Sequence, residues 1–381
     1  MINIKICEWL LENADAPIRY RIAREFLKEE KMVLQIESEL LDNSIVKLWL
    51  KNLKPNEPPQ HRWMVNGCND FNLENAMTKC VQLGLHAGLP QVTDAVSYYL
   101  NIFKNSPAPK RKYSKNDTII NLEHIANYLT LAGFQDIEIR EYMLKRLDII
   151  YNFVRFMDYN IYISEEDRAE LKGVPKHWEE TEYFVKDNLF IKTSFGEIEM
   201  LPEIRDIIVF HKLYDTCNPE INKKIDAVIE YISNDDYHST IASGYGIKMA
   251  GKNKYHGVGW DAKYPGWFDV SYYINNDNER TVHNILQTTD CPGYVYKLLF
   301  FAEHIVKYPI ALKTKWYADL TDCLEKYKTD NGTYIFPKEW LPEKKGYVVG
   351  GFRMSFGENR RKKNWLEIES TFYMQLLKQN I

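Results

Sequence analysis

The sequence predicts an all-α fold, an α/α toroid of about six helical hairpins, and three observations carry that expectation. Six helices begin on sharp start signals, near Asp15, Asn72, Asp117, Pro202, Asp290 and Asn364. Each is more apolar than an ordinary surface helix, and each is paired with a more amphipathic one, as alternating inner and outer helices would be. Two irregular stretches, 160–201 and 239–278, read as rim insertions that stretch the repeat in a single domain spanning 1–381.

The elements follow in order. Residues 2–11 form a short amphipathic helix. Asp15 and Pro17 open the second, whose stripe is Ile18, Ile22, Phe26 and Leu27; Asp at a cap and Pro in the first turn are helix-start signals. A third helix is expected over 32–53, stopped by the proline-rich 55–60. After a loop at 61–72 comes a helix closed by Gly88 and Pro90, then a partner at 91–103. Asp117 is placed as the cap of the next helix and Gly133 as its end, with another helix at 138–158. Residues 183–201 alternate and carry β-formers, the pattern of a small hairpin.

Pro202 and Glu203 restart a helix through Tyr214, paired with one at 218–233. Residues 244–269, GYGIKMAGKNKYHGVGWDAKYPGWFD, show neither helical nor strand period and are dense in glycine and aromatic residues. Asp290 and Pro292 open the next helix, 315–328 is its partner, and 330–363 is mostly non-helical. Asn364 is placed as the cap of the last helix, with Glu367 completing a capping box.

Composition excludes several function classes. The chain has 381 residues, 45% hydrophobic and 27% charged, ordinary for a globular protein. Its net charge of −4 supplies no field to recruit nucleic acid. No apolar run reaches the ~20 residues of a membrane span. The cysteines, Cys7, Cys68, Cys80, Cys217, Cys291 and Cys323, form no CxxC pair, which fits free thiols in the cytoplasm. Aromatic residues at 14% are abundant; most serve a large core, and some could line a pocket for a small-molecule ligand.

The stretch WLLENADAPIRYRIAREFL, the helix pairs, the glycine- and tryptophan-bearing loops before inner helices, and YGI…KYHGVGWDAKYPG together resemble terpenoid cyclases and protein prenyltransferases, and more narrowly their uncharacterised bacterial relatives. The resemblance implies an (α/α)6 barrel with a central cavity at the end where inner helices begin, and an isoprenoid or other apolar substrate. It also implies where chemistry would sit. Class II cyclases protonate an alkene with DxDD; this chain has none, and Asp235-Asp236 is its nearest approach. Prenyltransferases hold zinc with Asp-x-Cys and a distant His, a set that Asp215, Cys217 and His283 match in type. No other metal or cofactor is expected.

The residues themselves suggest four groups. Asp261 and His256 could act as acid or base beside Trp260, Tyr264 and Trp267, which would border an apolar or sugar-like ligand; the same stretch could equally be a connection stapled to the rim. Glu203, Asp206 and Glu367 sit at inner-helix starts, where carboxylates would converge on the cavity and split their pKa values, although carboxylates also simply stabilise helix N-termini. Arg353, Arg360 and Arg361 precede the last helix, an arrangement suited to solvent or to a bound anion. The histidines His86, His124, His211 and His304 fall within helices, where core roles are common. Two other functions remain open: a carbohydrate lyase or glycosidase, which would rest on Tyr, His and carboxylate groups in one cleft, and a non-enzymatic helical-repeat scaffold.

Overall fold

Helices dominate the computed structural model, which describes residues 3–54, 72–105, 112–170, 184–193, 196–240, 247–249, 255–256, 292–341, 343 and 355–379. Helix α1 (Ile4–Asn13) is capped by Asn3, whose side chain accepts the Ile6 amide. Helix α2 (Ala16–Arg21) begins after Asp15 with Pro17 in its first turn. It then widens into a π-helical turn, Ile22–Leu27, which ends on Lys28 in the left-handed region at φ 56°. The single helix expected over 32–53 is two, α3 (Glu30–Asp42) and α4 (Ser44–Leu53). Asn43 makes the break: its side-chain oxygen takes the Ile45 amide at 2.9 Å and starts the second helix.

Helix α5 (Leu73–Gln82) stops at Gly84, φ +96°, ahead of the expected Gly88. Glycine permits that turn: a side chain would be strained at this φ, and a Cβ would lie 3.0 Å from the Arg21 Cγ. Helix α6 is Pro90–Asn105. Helix α7 (Lys112–Ala132) starts before Asp117, which therefore lies within the helix and not at its cap. Gly133 closes it at φ +92°. Helices α8 (Ile137–Val154) and α9 (Glu165–Ala169) follow.

The expected hairpin is present. After β1 (Phe184–Val185), strands β2 (Phe190–Thr193) and β3 (Gly196–Glu199) pair antiparallel, Phe190 opposite Glu199. The helix expected from Pro202 to Tyr214 is broken into α10 (Ile204–Ile207) and a 3-10 turn, Phe210–Leu213. Val209, at φ −120°, leaves the helical region between them. Helices α11 (Pro219–Ile232) and α12 (Asp235–Thr240) come next. Strand β4 (Ile247–Met249) runs parallel to β1 and antiparallel to β5 (Tyr255–His256). The chain closes with α13 (Pro292–Ile305), α14 (Lys315–Glu325) and α15 (Trp365–Lys378).

Neighbours in sequence pack together: α4 on α5, α5 on α7, α7 on α8, and α8 on α11. The two ends of the chain also meet, because α1 and α13 both pack on α15. One apolar core runs through these contacts, from Ile6 to Leu377. Helix α5 is unusual within it. Glu74, Asn75, Thr78, Lys79 and Gln82 are all buried, so this helix carries polar groups into the interior, where each needs a partner or a use. Among the described residues no helix is long and apolar enough to cross a membrane.

Candidate functional site

The first turn of α5, the C-terminal half of α7, the middle of α8 and the start of α10 bring a set of ionisable groups together. Glu74 lies in the first turn of α5, which Asn72 caps by accepting the Asn75 amide at 3.0 Å. From α7, the Tyr128 hydroxyl donates to Glu74 Oε1 at 2.9 Å. His124, one turn earlier, packs its ring against Tyr128 with centroids 6.3 Å apart. Glu123, beside it, stands 3.8 Å from the Arg146 guanidinium of α8.

Arg146 is the anchor of the cluster. Its Nε and Nη2 donate to both oxygens of Asp206, at 3.1 and 2.8 Å. It also donates to the backbone carbonyls of Glu199 and Leu201, tying β3 to the start of α10. Asp206 in turn accepts the Glu203 amide at 2.8 Å, the reciprocal half of a capping box. Arg205 reaches back to Glu203 at 2.6 Å. Burial works against the Arg146 charge, but Asp206 and Glu123 more than offset it and its pKa is raised.

Two carboxyls are left near neutrality. Burial pushes Glu74 up to about 7, against the pull of Arg205 and the Tyr128 hydrogen bond. Burial, followed by repulsion from Glu203, pushes Glu123 up to about 7 against Arg146. Glu203 and Arg205 act on both, so Glu74 and Glu123 share one electrostatic environment. One Glu74 oxygen and one Glu123 oxygen are buried without a hydrogen-bond donor among the described residues. Such groups can hold or release a proton at physiological pH.

A second cluster lies further along α5. The fully buried Lys79 ammonium donates to the Ser355 carbonyl at 2.6 Å and to Glu343 at 3.0 Å. Burial pushes its pKa down against the pull of Glu343 and Glu369. Glu369, on α15, accepts the Phe356 amide at 3.1 Å and meets Arg360 at 3.3 Å.

The expected site residues divide accordingly. Glu203 and Asp206 do lie in the first cluster, but their carboxylates are committed to Arg205, Arg146 and the capping box. Glu367 lies outside it and accepts from the Thr333 hydroxyl at 2.6 Å; Asn364 makes no side-chain cap there, so the expected capping box does not form. Arg360 donates to the Leu341 carbonyl at 2.6 Å and lies 4.4 Å over Trp365, so it is held by the protein itself. Arg361 is exposed, with its amide on the Asn359 side chain.

His256 pairs through its backbone with Lys248. Trp260, Asp261, Tyr264, Trp267, His283 and Arg353 lie outside the described residues. Asp215 accepts the Cys217 amide at 2.8 Å and the Arg140 guanidinium at 3.0 Å, and Cys217 is exposed. Among the described residues no group of three or more His, Cys, Asp and Glu side chains could hold a metal ion.

Of the residues that matter most here, Glu74 and Lys79 carry a signal in the sequence. In LENAMTKCVQ the charges stand five residues apart, on different faces of a helix. A buried helix with that spacing must bury charge. No protein-family model, curated protein or solved structure matches the chain.

Proposed function

We propose that this cluster is the catalytic centre of an acid–base enzyme that acts on a polar, carbohydrate-like substrate. The observation that carries the proposal is the convergence of Glu74, Tyr128, His124 and Glu123 around an arginine-held frame. Glycosidases and polysaccharide lyases need this inventory: one group that protonates the leaving oxygen, one that accepts a proton, and cations that stabilise developing negative charge. Glu74 is the proton donor, positioned by Tyr128, and Glu123 is the acceptor. Asp206 and Glu203 hold Arg146 and Arg205 in place for the substrate.

We take the helical pairs as an α/α toroid, with the cavity where the first turns of α5 and α10 meet the C-terminal half of α7. Contact of α1 with α15 supports a closed ring over an open superhelix. The polar wall bears on the choice of substrate. An isoprenoid cavity would be lined by apolar and aromatic groups that face a carbocation. The described faces of α5 and α7 instead bury Glu74, Asn75, Lys79, His124 and Asn127.

A substrate panel tests the proposal. Purified protein is incubated with neutral oligosaccharides, uronate-containing oligosaccharides and farnesyl diphosphate, and reducing ends, unsaturated uronate and prenyl products are measured. Turnover of a saccharide, reduced at least about 100-fold in Glu74→Gln and in Glu123→Gln, is the expected result. Consumption of farnesyl diphosphate with no action on any saccharide would overturn it in favour of the isoprenoid activity that the resemblance implies.

A further inference from the structure

The opposite end of α5 meets a different collection of groups. From Glu74 to Gln82, α5 runs about 12 Å at the helical rise. At its far end the Gln82 carbonyl accepts from Arg21 at 3.1 Å and the Gly84 carbonyl from Arg24 at 2.9 Å. Both arginines also hold Glu25, Arg21 through two bonds of 3.0 Å and Arg24 through one of 2.8 Å. Arg24 and Glu25 belong to the π-helical turn, a local departure from α-helix that is frequent at functional sites. Around them stand His86 from the turn after α5, His211 and Lys212 from the 3-10 turn, and Glu303, His304 and Lys307 from the end of α13. The ring of His86 meets the Tyr20 hydroxyl at 3.0 Å, and the His211 amide meets the Tyr308 hydroxyl at 3.0 Å.

The charge does not balance. Among the described residues Arg21, Arg24, Lys212 and Lys307 face Glu25 and Glu303, so four cations meet two carboxylates, an excess of two positive charges. Lysines and arginines near helix C-termini ordinarily satisfy carbonyls. Arg21 and Arg24 do so, but the Lys212 ammonium makes no hydrogen bond among the described residues, and the Lys307 ammonium has the Gln379 side chain at 3.3 Å. His304, only 6% exposed, has an Nε2 with no partner among the described residues, and the His211 Nδ1 is likewise unmet.

The cluster is also open on one side. Lys212 is exposed, and Arg24, Glu25, His86, His211 and Lys307 are half-buried. Burial nevertheless pushes the pKa of both lysines down, the combination expected of cations lining a concavity. Burial and then the neighbouring cations Lys307, Arg21 and Lys212 hold His304 at about 3.

We propose that Lys212, Lys307, His211 and His304, set around the Arg21–Arg24–Glu25 frame, form a binding site for a phosphate-monoester dianion. A phosphoryl group carries about −1.5 to −2 charges near neutral pH and three acceptor oxygens. That matches both the excess charge and the unmet donors. The site is distinct from the acid–base cluster and does not rest on the catalytic reading.

The test titrates inorganic phosphate, with chloride at equal ionic strength as the control, and follows the thermal midpoint and the histidine imidazole signals by NMR. Saturable stabilisation by phosphate, with movement of the His304 and His211 signals, is expected. Lys212→Ala, an exposed position that leaves packing intact, should weaken the apparent affinity about tenfold or more. The proposal is overturned if chloride has the same effect, if Lys212→Ala leaves the titration unchanged, or if phosphate stabilises the protein without moving either histidine.

Discussion

A carboxyl that titrates near neutrality inside a protein links its chemistry to the stability of the fold. Glu74 rises from 4.5 to about 7. The folded chain keeps a proton there at pH values where the unfolded chain has released it. Its contribution is therefore full below 4.5 and lost as pH rises through about 7. The Glu74→Gln variant should show a flatter fall in urea midpoint across that window than the parent chain. Equal slopes would mean that Glu74 does not titrate there. Arg146 makes a different prediction. Arg146→Met leaves the buried Asp206 carboxyl without its partner, which should cost about 3–5 kcal/mol, and adding Asp206→Leu should restore most of it. A double variant no more stable than Arg146→Met would show that the two side chains are not a balanced pair. At this scale the sequence revealed only part of the site. Glu203 and Asp206 were legible because they stand at a helix start. Glu123 stands within α7, where only burial on every face, a tertiary fact, separates a functional carboxylate from a solvated one.

Helix boundaries show which local signals prevail over the apolar stripe. Asn43 interrupts a hydrophobic pattern that reads as one helix, because its side chain offers the next amides a cap. Asn43→Ala should cost about 1 kcal/mol in chemical denaturation. A neutral result would mean that packing of α3 and α4 sets the break by itself. Gly357 is a stronger case. It sits at φ +91°, and a Cβ there would lie 2.5 Å from Leu83 Cδ2 and 3.0 Å from Pro17 Cγ. Gly357→Ala combines backbone strain with a clash against two elements and should cost more than about 1 kcal/mol. The basic run at 360–363 also resolves at this level. Lys362 joins Asp15 and Glu358 at 2.8 and 2.6 Å, and the Asp15 amide meets Glu358 at 2.8 Å. Lys362 thus fastens the segment before α15 to the start of α2. The partners are more than three hundred residues apart, a separation that no local pattern encodes.

Closure of the chain decides between a ring and an open array, and it can be tested by removing α15. This helix is buried over most of its length, from Trp365 to Leu377. Its contacts come from both ends of the sequence. Phe372 packs on Phe26, Gln379 donates to the Glu25 carbonyl at 2.9 Å, Tyr373 donates to the Leu299 carbonyl at 2.6 Å, and the Tyr317 hydroxyl reaches Leu377 at 2.9 Å. In an open superhelix each repeat leans only on its neighbours, so loss of the last helix trims stability and leaves the remainder folded. In the proposed toroid the last helix is the wedge between the first hairpin and the penultimate one, and its removal exposes apolar surface on both. A chain ending at residue 363 should therefore lose its cooperative urea transition altogether. Adding the 364–381 peptide in trans should restore that transition. A truncated chain that still unfolds in one sharp step, at a modestly lower midpoint, would favour the open scaffold and remove the enclosed cavity on which the catalytic proposal depends.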